Sequence, residues 1–370
     1  GGTIRKENSV HIHLTLVPFL ETVGEQKTKP TQHSVKKLRE LGLSPDIIIG
    51  RSQSKLDNHT KEKISLFCDV EKKDVISNPD LDNIYRLPMM MAEEEADRRV
   101  IEKLELQEVG RDIERWEELV RNMEKPGETV RVGMCGKYTG MDDSYVSIEE
   151  ALRHAGAELD CGVDIDILNS EELEGGQVEE KLRDYDGIII PGGFGSRGTE
   201  GKIATAEYCR ENDVPLLGLC YGMQMMVIEH ARNVCGLEES SSTEIDPETS
   251  YPVVKKLPEQ IDEDKKGGTM RLGGYEAELD NGSKVRDIYR DEKVTERHRH
   301  RFEVNPEYHE TLEENGLRIS GSSKNGLLAE FVEIPGHRFY IGTQAHPEFN
   351  SSLETPNPLY REFVKTLRDI

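Results

Sequence analysis

No apolar run in this sequence approaches the ~20 residues that span a bilayer, and the short apolar stretch in its opening, GGTIRKENSVHIHLTLVPFL, is followed by no small-residue cleavage site. The chain therefore reads as having neither a membrane span nor a signal peptide. Basic residues are outnumbered, 48 Lys plus Arg against 72 Asp plus Glu, for a formal net charge of −24. A chain of that sign repels phosphate backbones and acidic membrane surfaces, which argues against nucleic acid or membrane as its partner. The six cysteines, Cys68, Cys135, Cys161, Cys209, Cys220 and Cys235, show no CxxC or Cys/His spacing. That argues against a zinc site or a disulfide framework and makes the reducing cytoplasm the expected location. Repeats and low-complexity tracts are absent, and so is a GxxxxGK[ST] phosphate loop. The acid excess fits a salt-adapted surface and an ordinary acidic cytosolic protein equally well.

What is present is regular. At a prior of roughly 150 residues per domain, 370 residues make two or three domains. From Val130 onward, strand-like runs alternate with helical spacing, the pattern of βα units around a parallel sheet. VRVGMCG (130–136), VDIDIL (163–168), Ile188 to Ile190 and the LLGL before Cys220 read as strands. SIEEALRHAGAEL, residues 199–212 and the run from Met223 to a stop at Gly236 read as helices. Residues 267–344 look like a β-rich insertion of short strands and turns, including Asn281-Gly282. Before Val130, 105–128 is expected to be one amphipathic helix ending at Pro126-Gly127 and carrying the only tryptophan, Trp116. The expected division is 1–104, a linker over 105–129, and 130–370. In the first part, IHLTLVPFL and PDIIIGR read as strands, while HSVKKLRELG and PMMMAEEEADRRVIEKLEL each read as one helix.

The strongest local signal is GLCYGMQ (218–224), a buried strand running through a glycine-bracketed cysteine into a helix. A nucleophile at such an elbow needs small neighbours because the turn is tight, and the helix N-terminus favours its thiolate. Cys220 is therefore the candidate nucleophile. PGGFG (191–195) follows the neighbouring strand, so the N–H of Gly193 together with that of Tyr221 could receive an oxyanion. Among eleven histidines, His346 stands out in TQAHPEF: it follows a predicted strand, and Glu348 can accept its imidazole N–H.

GLCYGMQ, PGGFG and AHPEF, in this order, resemble the class I glutamine amidotransferases. The resemblance covers nearly all of 130–370 and implies an open, mostly parallel sheet flanked by helices. It also implies Cys220 as nucleophile, His346 as general base and acid, and Glu348 as its orienter, hydrolysing glutamine through a thioester.

A second group lies upstream. In KTKPTQ (27–32), Lys27 and Lys29 flank Thr28, Pro30 rigidifies a turn, and Thr31 and Gln32 add neutral hydrogen-bonding groups. That set suits a triphosphate and a base edge; it equally suits a solvated basic loop before a helix. With LTLVP, PDIIIGRS, KEKISLFCDV, SSTEIDPET, GGTMRLG and TERHRHRFEVN, it resembles the CTP synthase family. The resemblance implies ATP-dependent amination of UTP to CTP with ammonia from glutamine. UTP or CTP would meet Lys27, Thr28, Lys29, Pro30, Thr31, Gln32 and Lys63. Gln224, Glu244 and Arg301 would hold glutamine. Read without the family, Arg297 to Arg301 is equally a strand with one charged face.

The same resemblance implies Mg²⁺ with ATP, GTP as allosteric activator, CTP as product inhibitor, and a homotetramer or higher assembly. Lys137 and Arg197 are the candidates for the GTP site. With no phosphate loop, and with Gly1-Gly2-Thr3 running directly into Ile4, the expectation is a glutaminase domain preceded by only the back part of a P-loop-type α/β synthetase domain. The amino-terminal part would then be missing, the metal ligands with it, and the chain competent only as a glutaminase. The rival readings are a stand-alone glutaminase or γ-glutamyl hydrolase, and a non-catalytic assembly fragment.

Overall fold

The computed structural model describes residues 8–22, 24–137, 145–256 and 270–369. The opening Gly1-Gly2-Thr3 and the first three residues of GGTMRLG lie outside them. The chain forms two compact units, Gly1–Val120 and Arg121–Ile370. Among the described residues, no helix is long and apolar enough to cross a membrane.

The first unit runs β1 (Ile12–Leu16), β2 (Phe19–Leu20), β3 (Glu25–Gln26), α1 (Lys29–Glu40), β4 (Ile47–Ser52), α2 (Asn58–Cys68), β5 (Val75–Pro79), α3 (Leu87–Glu93) and α4 (Ala96–Lys103), and enters α5 (Glu114–Glu124). Strands β1, β4 and β5 pair in parallel in that order, and parallel neighbours require crossovers, here α1 and α2. Ile48 and Val75 of the sheet close over Val35 of α1 and Ile64 of α2 to make the core.

Three expectations need correction here. The KTKPTQ segment is not a turn before the helix: α1 begins at Lys29 with Pro30 in its first turn, where the missing N–H has no helical partner to lose. PMMMAEEEADRRVIEKLEL is two helices. The chain breaks at Glu95, which is left-handed at φ 56, because the Glu94 carboxylate turns inward to Lys55, Lys61 and the Ser77 N–H. The helix expected over 105–128 exists only as α5, since Glu105, at φ 52, ends the preceding helical run.

The second unit continues with β6 (Glu128–Gly136), α6 (Val146–Leu159), β7 (Cys161–Asn169), α7 (Val178–Leu182), β8 (Gly187–Ile190), α8 (Thr199–Glu211), β9 (Leu216–Leu219), α9 (Tyr221–Asn233), β10 (Ser240–Ser242) and β11 (Tyr251–Lys255). There follow β12 (Arg271–Leu279), α10 (Lys284–Tyr289), β13 (Lys293–His300), β14 (Glu303–Val304), α11 (His309–Glu314), β15 (Arg318–Ser323), β16 (Ala329–Glu333), β17 (Tyr340–Thr343) and α12 (Pro358–Arg368). Among the described residues, nine strands form one sheet in the order β13-β12-β15-β16-β17-β9-β8-β6-β7. From β7 to β17 the pairings are parallel; beyond β17 they are antiparallel. The α/β class expected from the sequence is the class observed, and the β-rich stretch is the antiparallel extension of this sheet. Asn281-Gly282 does not close a hairpin there; it leads into α10, capped by Ser283.

Helices cover both faces of the parallel half. Ile188 and Ile190 pack in one core with α9, and Ile189 in the other with α6 and α12, as the two-residue period of a strand dictates. Helix α9 is buried from Tyr221 to Ala231, so it lies against the sheet with no solvent stripe of its own.

Candidate active site

Strand β9 stops at Leu219 and α9 starts at Tyr221, leaving one residue to make the turn. That residue is Cys220, at φ 50 and ψ −100, a conformation worth roughly 1–3 kcal/mol of strain in a non-glycine residue. It persists because the turn is fastened on both sides. The Cys220 N–H donates to the Thr343 carbonyl at 2.7 Å, and its carbonyl accepts from the Gln224 N–H at 3.2 Å. At Gly222 a Cβ would overlap the Ile190 carbonyl.

Strand β17 lies beside β9 in parallel, with Thr343 opposite Leu219, so both strands end on the same edge. Three residues past β17, His346 caps a short 3₁₀ turn, Pro347–Asn350, and its N–H donates to the Arg297 carbonyl of β13 at 2.7 Å. The imidazole Nδ1 lies 2.7 Å from Glu348 Oε1. Burial alone would lower the His346 pKa, but hydrogen bonds to Cys220 and Glu348 raise it to about 10. A Cβ on Gly192 would stand 2.9 Å from His346 Cε1 and 3.7 Å from Cys220 Cβ. The first glycine of PGGFG thus admits the imidazole to the thiol. Cys220, His346 and Glu348 form one continuous chain of contacts.

The rest of PGGFG is clamped. Tyr221 donates its phenol O–H to the Gly195 carbonyl at 2.5 Å, Lys137 Nζ donates to the Phe194 carbonyl at 2.6 Å, and the Gly195 N–H donates to Glu244 Oε1 at 2.9 Å. Glu244 therefore reaches the loop. Gln224 is buried, donating to the Phe302 carbonyl at 2.9 Å and to Gln344 Oε1 at 3.2 Å. Arg301 is exposed in the bend between β13 and β14, one residue before that carbonyl. Its strand resolves the alternation of Arg297 to Arg301 cleanly: Arg297 and Arg299 face out, while Glu296, His298 and His300 are buried. Arg197 pairs with Glu171 at 2.8 Å.

Two residues here were not singled out from the sequence. Gln344, fully buried, donates its Nε2 to Cys220 Sγ at 3.6 Å; its place just ahead of AHPEF was the only available signal. Lys202 is also fully buried, on α8, with its Nζ 5.3 Å from the centre of the Tyr221 ring. An amphipathic helix pattern gives no reason to turn a lysine inward.

In the first unit, Thr28 stands at the N-cap position of α1 without a side-chain cap bond, its hydroxyl accepting instead from Gln32 Nε2 at 3.0 Å, and Pro30 sits in the first turn. Lys27 reaches Glu25 at 2.8 Å. The Glu25 carboxyl, held below its usual range first by that hydrogen bond, also feels Lys63, so the two lysines share one neighbourhood. Lys29 lies 5.6 Å from the centre of the Phe67 ring. Thr31 faces inward, its hydroxyl donating to the Leu16 carbonyl at 3.2 Å. Among the described residues, no group of three or more His, Cys, Asp or Glu could hold a metal ion.

The sequence model described as glutamine amidotransferase class-I matches residues 141–366, and that described as CTP synthase N-terminus matches residues 2–106. A CTP synthase of Methanocaldococcus jannaschii is 50% identical over 368 residues, covering 98% of this chain and 68% of that protein. One of Bacillus subtilis is 45% identical over 361 residues, covering 98% of this chain and 68% of that protein. The chain belongs to the CTP synthase family. The glutaminase domain of Trypanosoma brucei CTPS, solved with bound acivicin, is 38% identical with a TM-score of 0.60, covering 65% of this chain and 94% of that one.

CTP synthases are glutamine-hydrolysing ligases, so the chain is an enzyme of that class. The match to residues 2–106 puts CTP synthase sequence ahead of the amidotransferase part, as the KTKPTQ resemblance implies, and of itself lends no support to a missing amino-terminal part. The relatives themselves are covered over about two thirds of their length, 68% in both cases above.

Proposed function

We propose that this chain hydrolyses glutamine at Cys220 and serves the ATP-dependent amination of UTP to CTP with the ammonia released. The observation that carries the reading is the contact chain Cys220, His346, Glu348 at the ends of two adjacent parallel strands. His346, raised to about 10, holds the proton shared with the thiol as Cys220 Sγ bonds to the amide carbon, and the carbonyl electron pair moves onto oxygen. The N–H groups of Gly193 and Tyr221 receive that oxyanion, each such donor being worth roughly 10²–10³ in rate. When the carbonyl re-forms, the C–N bond breaks, His346 returns the proton to nitrogen, and ammonia leaves. Water, deprotonated by the same imidazole, then opens the thioester to glutamate and free thiol. Glu348 holds the Nδ1 proton and steadies the imidazolium, while Gln224, Glu244 and Arg301 hold the substrate's amino and carboxylate groups. Arg301 suits the carboxylate because its guanidinium is a planar fork.

UTP, or product CTP as inhibitor, belongs at Lys27, Thr28, Lys29, Pro30, Gln32 and Lys63, with Thr31 bracing the helix start from inside. The uracil oxygen is a poor leaving group until phosphorylated, which is the part played by ATP with Mg²⁺. GTP as activator is placed near Lys137 and Arg197, beside the PGGFG loop, and a homotetramer or higher assembly completes the reading, in the cytoplasm. Glutamate release by the wild-type chain and by Cys220→Ala tests it. Loss to background in the variant is expected, with any CTP formed from ATP, UTP, magnesium and ammonium chloride equal in the two proteins. Glutamate formation that survives the substitution overturns the assignment of Cys220, and a wild-type chain with no hydrolysis favours the assembly fragment.

A further inference from the structure

Lys202 is a charged side chain with no solvent exposure, and its Nζ makes no hydrogen bond to any described residue. Such a group is expensive to keep, because burial of an ammonium without a partner strongly favours its neutral form. Its position is specific. A Cβ on Gly193 would lie 3.7 Å from the ammonium nitrogen and 3.7 Å from Tyr221 Cδ1, and the Tyr221 ring lies under the same nitrogen. Gly193 and Tyr221 are the two residues whose N–H groups are assigned to the oxyanion. The chain thus seats a buried cation beside both residues.

We propose that Lys202 is a positioning residue of the glutaminase centre, its ammonium supplying a fixed positive charge beside Gly193 and Tyr221 that strengthens the hold of their amides on the oxyanion. The inference rests on the glutaminase reading above and deepens it. A charge fixed in a dry site acts with little screening and needs no reorganisation when the oxyanion forms. Burial depresses the Lys202 pKa to about 8, against the opposing influence of Cys135 and Cys220 and with the help of Lys137. The carboxylates that act on Lys137 are engaged elsewhere, Glu171 with Arg197 and Glu244 with the Gly195 N–H, and Glu229 of α9 pairs with Arg210. Near neutral pH the charge is present, and it is lost as pH rises through about 8.

The test is glutaminase kinetics of Lys202→Met, which keeps the aliphatic stem and removes the charge, measured from pH 6.5 to 9.5 with thermal unfolding alongside. At pH 7 we expect kcat to fall about tenfold or more with the glutamine KM within about twofold. The wild-type and variant rates should converge above about pH 8, where the wild type loses the same proton. Unfolding should shift upward, since an unpartnered buried cation has been replaced by an apolar chain. An unchanged kcat, or a wild-type to variant ratio that is constant with pH, overturns the proposal. Should K202M fail to fold, K202Q is read in the same way, and a wild-type kcat that shows no decline across pH 8 overturns it unaided. Failure of this inference leaves the Cys220→Ala result intact, and loss of hydrolysis in that variant alone marks the underlying reading.

Discussion

Gly222 packs against the Ile190 carbonyl so directly that any Cβ there would overlap its oxygen. The contact ties the first turn of α9 to the end of β8, and with it sets the angle at which Cys220 leaves β9. Gly222→Ala should therefore destabilise the chain by about 3 kcal/mol, the upper end of ordinary overpacking, and remove most glutaminase activity in the fraction that folds. Gly110→Ala, where nothing lies within 4 Å of the new methyl, should change stability by less than about 0.5 kcal/mol. Denaturant unfolding of the two variants, with glutamate release, checks both.

Glu348→Gln should lower turnover far more than glutamine affinity. Glu348 touches His346 Nδ1 at 2.7 Å and acts through it, and an amide in its place can neither stabilise the imidazolium nor dictate the tautomer. The expected result is kcat reduced by 10²-fold or more, on the order seen when such orienters are lost, with KM little changed. A rise in KM alone would move Glu348 into the substrate pocket.

Arg301→Ala should do the reverse. A hydrogen bond to a charged group is worth roughly 1.5–3 kcal/mol, so the glutamine KM should rise by about 10- to 100-fold. Stability should hardly move, since Arg301 is exposed. Lysine should rescue poorly, because an ammonium cannot present the bidentate fork. An unaltered KM assigns the carboxylate to another group, with Arg299 the first to try.

The second unit should also be acid-sensitive, for a reason visible at His230. Its Nε2 bonds the Asn315 carbonyl at 3.0 Å, while the buried Nδ1 has no hydrogen-bond partner among the described residues. Burial lowers this imidazole to about 4, and His300 is lowered to about 3, first by burial and then by Arg271. Depressed folded-state values mean that the unfolded chain binds more protons below pH 6.5. The stability they contribute is whole above that pH and is lost progressively as pH falls through 4. At 1.36 kcal/mol per unit, His230 alone accounts for roughly 3 kcal/mol. His230→Gln should flatten the fall in unfolding free energy between pH 6.5 and 4; an equally steep fall in the variant would assign the sensitivity to other groups.

How much of this was legible in the sequence depended on whether local pattern and tertiary demand agreed. Strands β8 and β9 were readable because a strand covered on both faces must be apolar throughout, as GIII and LLGL are. Cys220, Gly222 and His346 were readable because a tight elbow and a dyad restrict residue type at fixed offsets. Helix α2 was not recognised, since Leu66 and Phe67 stand exposed at 78% and 55% and blur its apolar stripe. The break at Glu95 was invisible too. It follows from Glu94 reaching lysines more than thirty residues away, and no window of local sequence contains them. Lys202 was missed for the same reason: its burial is decided by Gly193 and Tyr221, on other elements.

The seam at β17 has a consequence for how the site comes into being. The nucleophile stands after β9, but the base stands after β17, and between them in sequence lie α9 and the whole antiparallel extension. As the chain emerges from the ribosome, the elbow strand is complete long before anything can activate its thiol. The Cys220 N–H has no carbonyl to meet until Thr343 arrives, and the imidazole follows three residues later. The complete contact chain of Cys220, His346 and Glu348 therefore requires that β17 be docked beside β9.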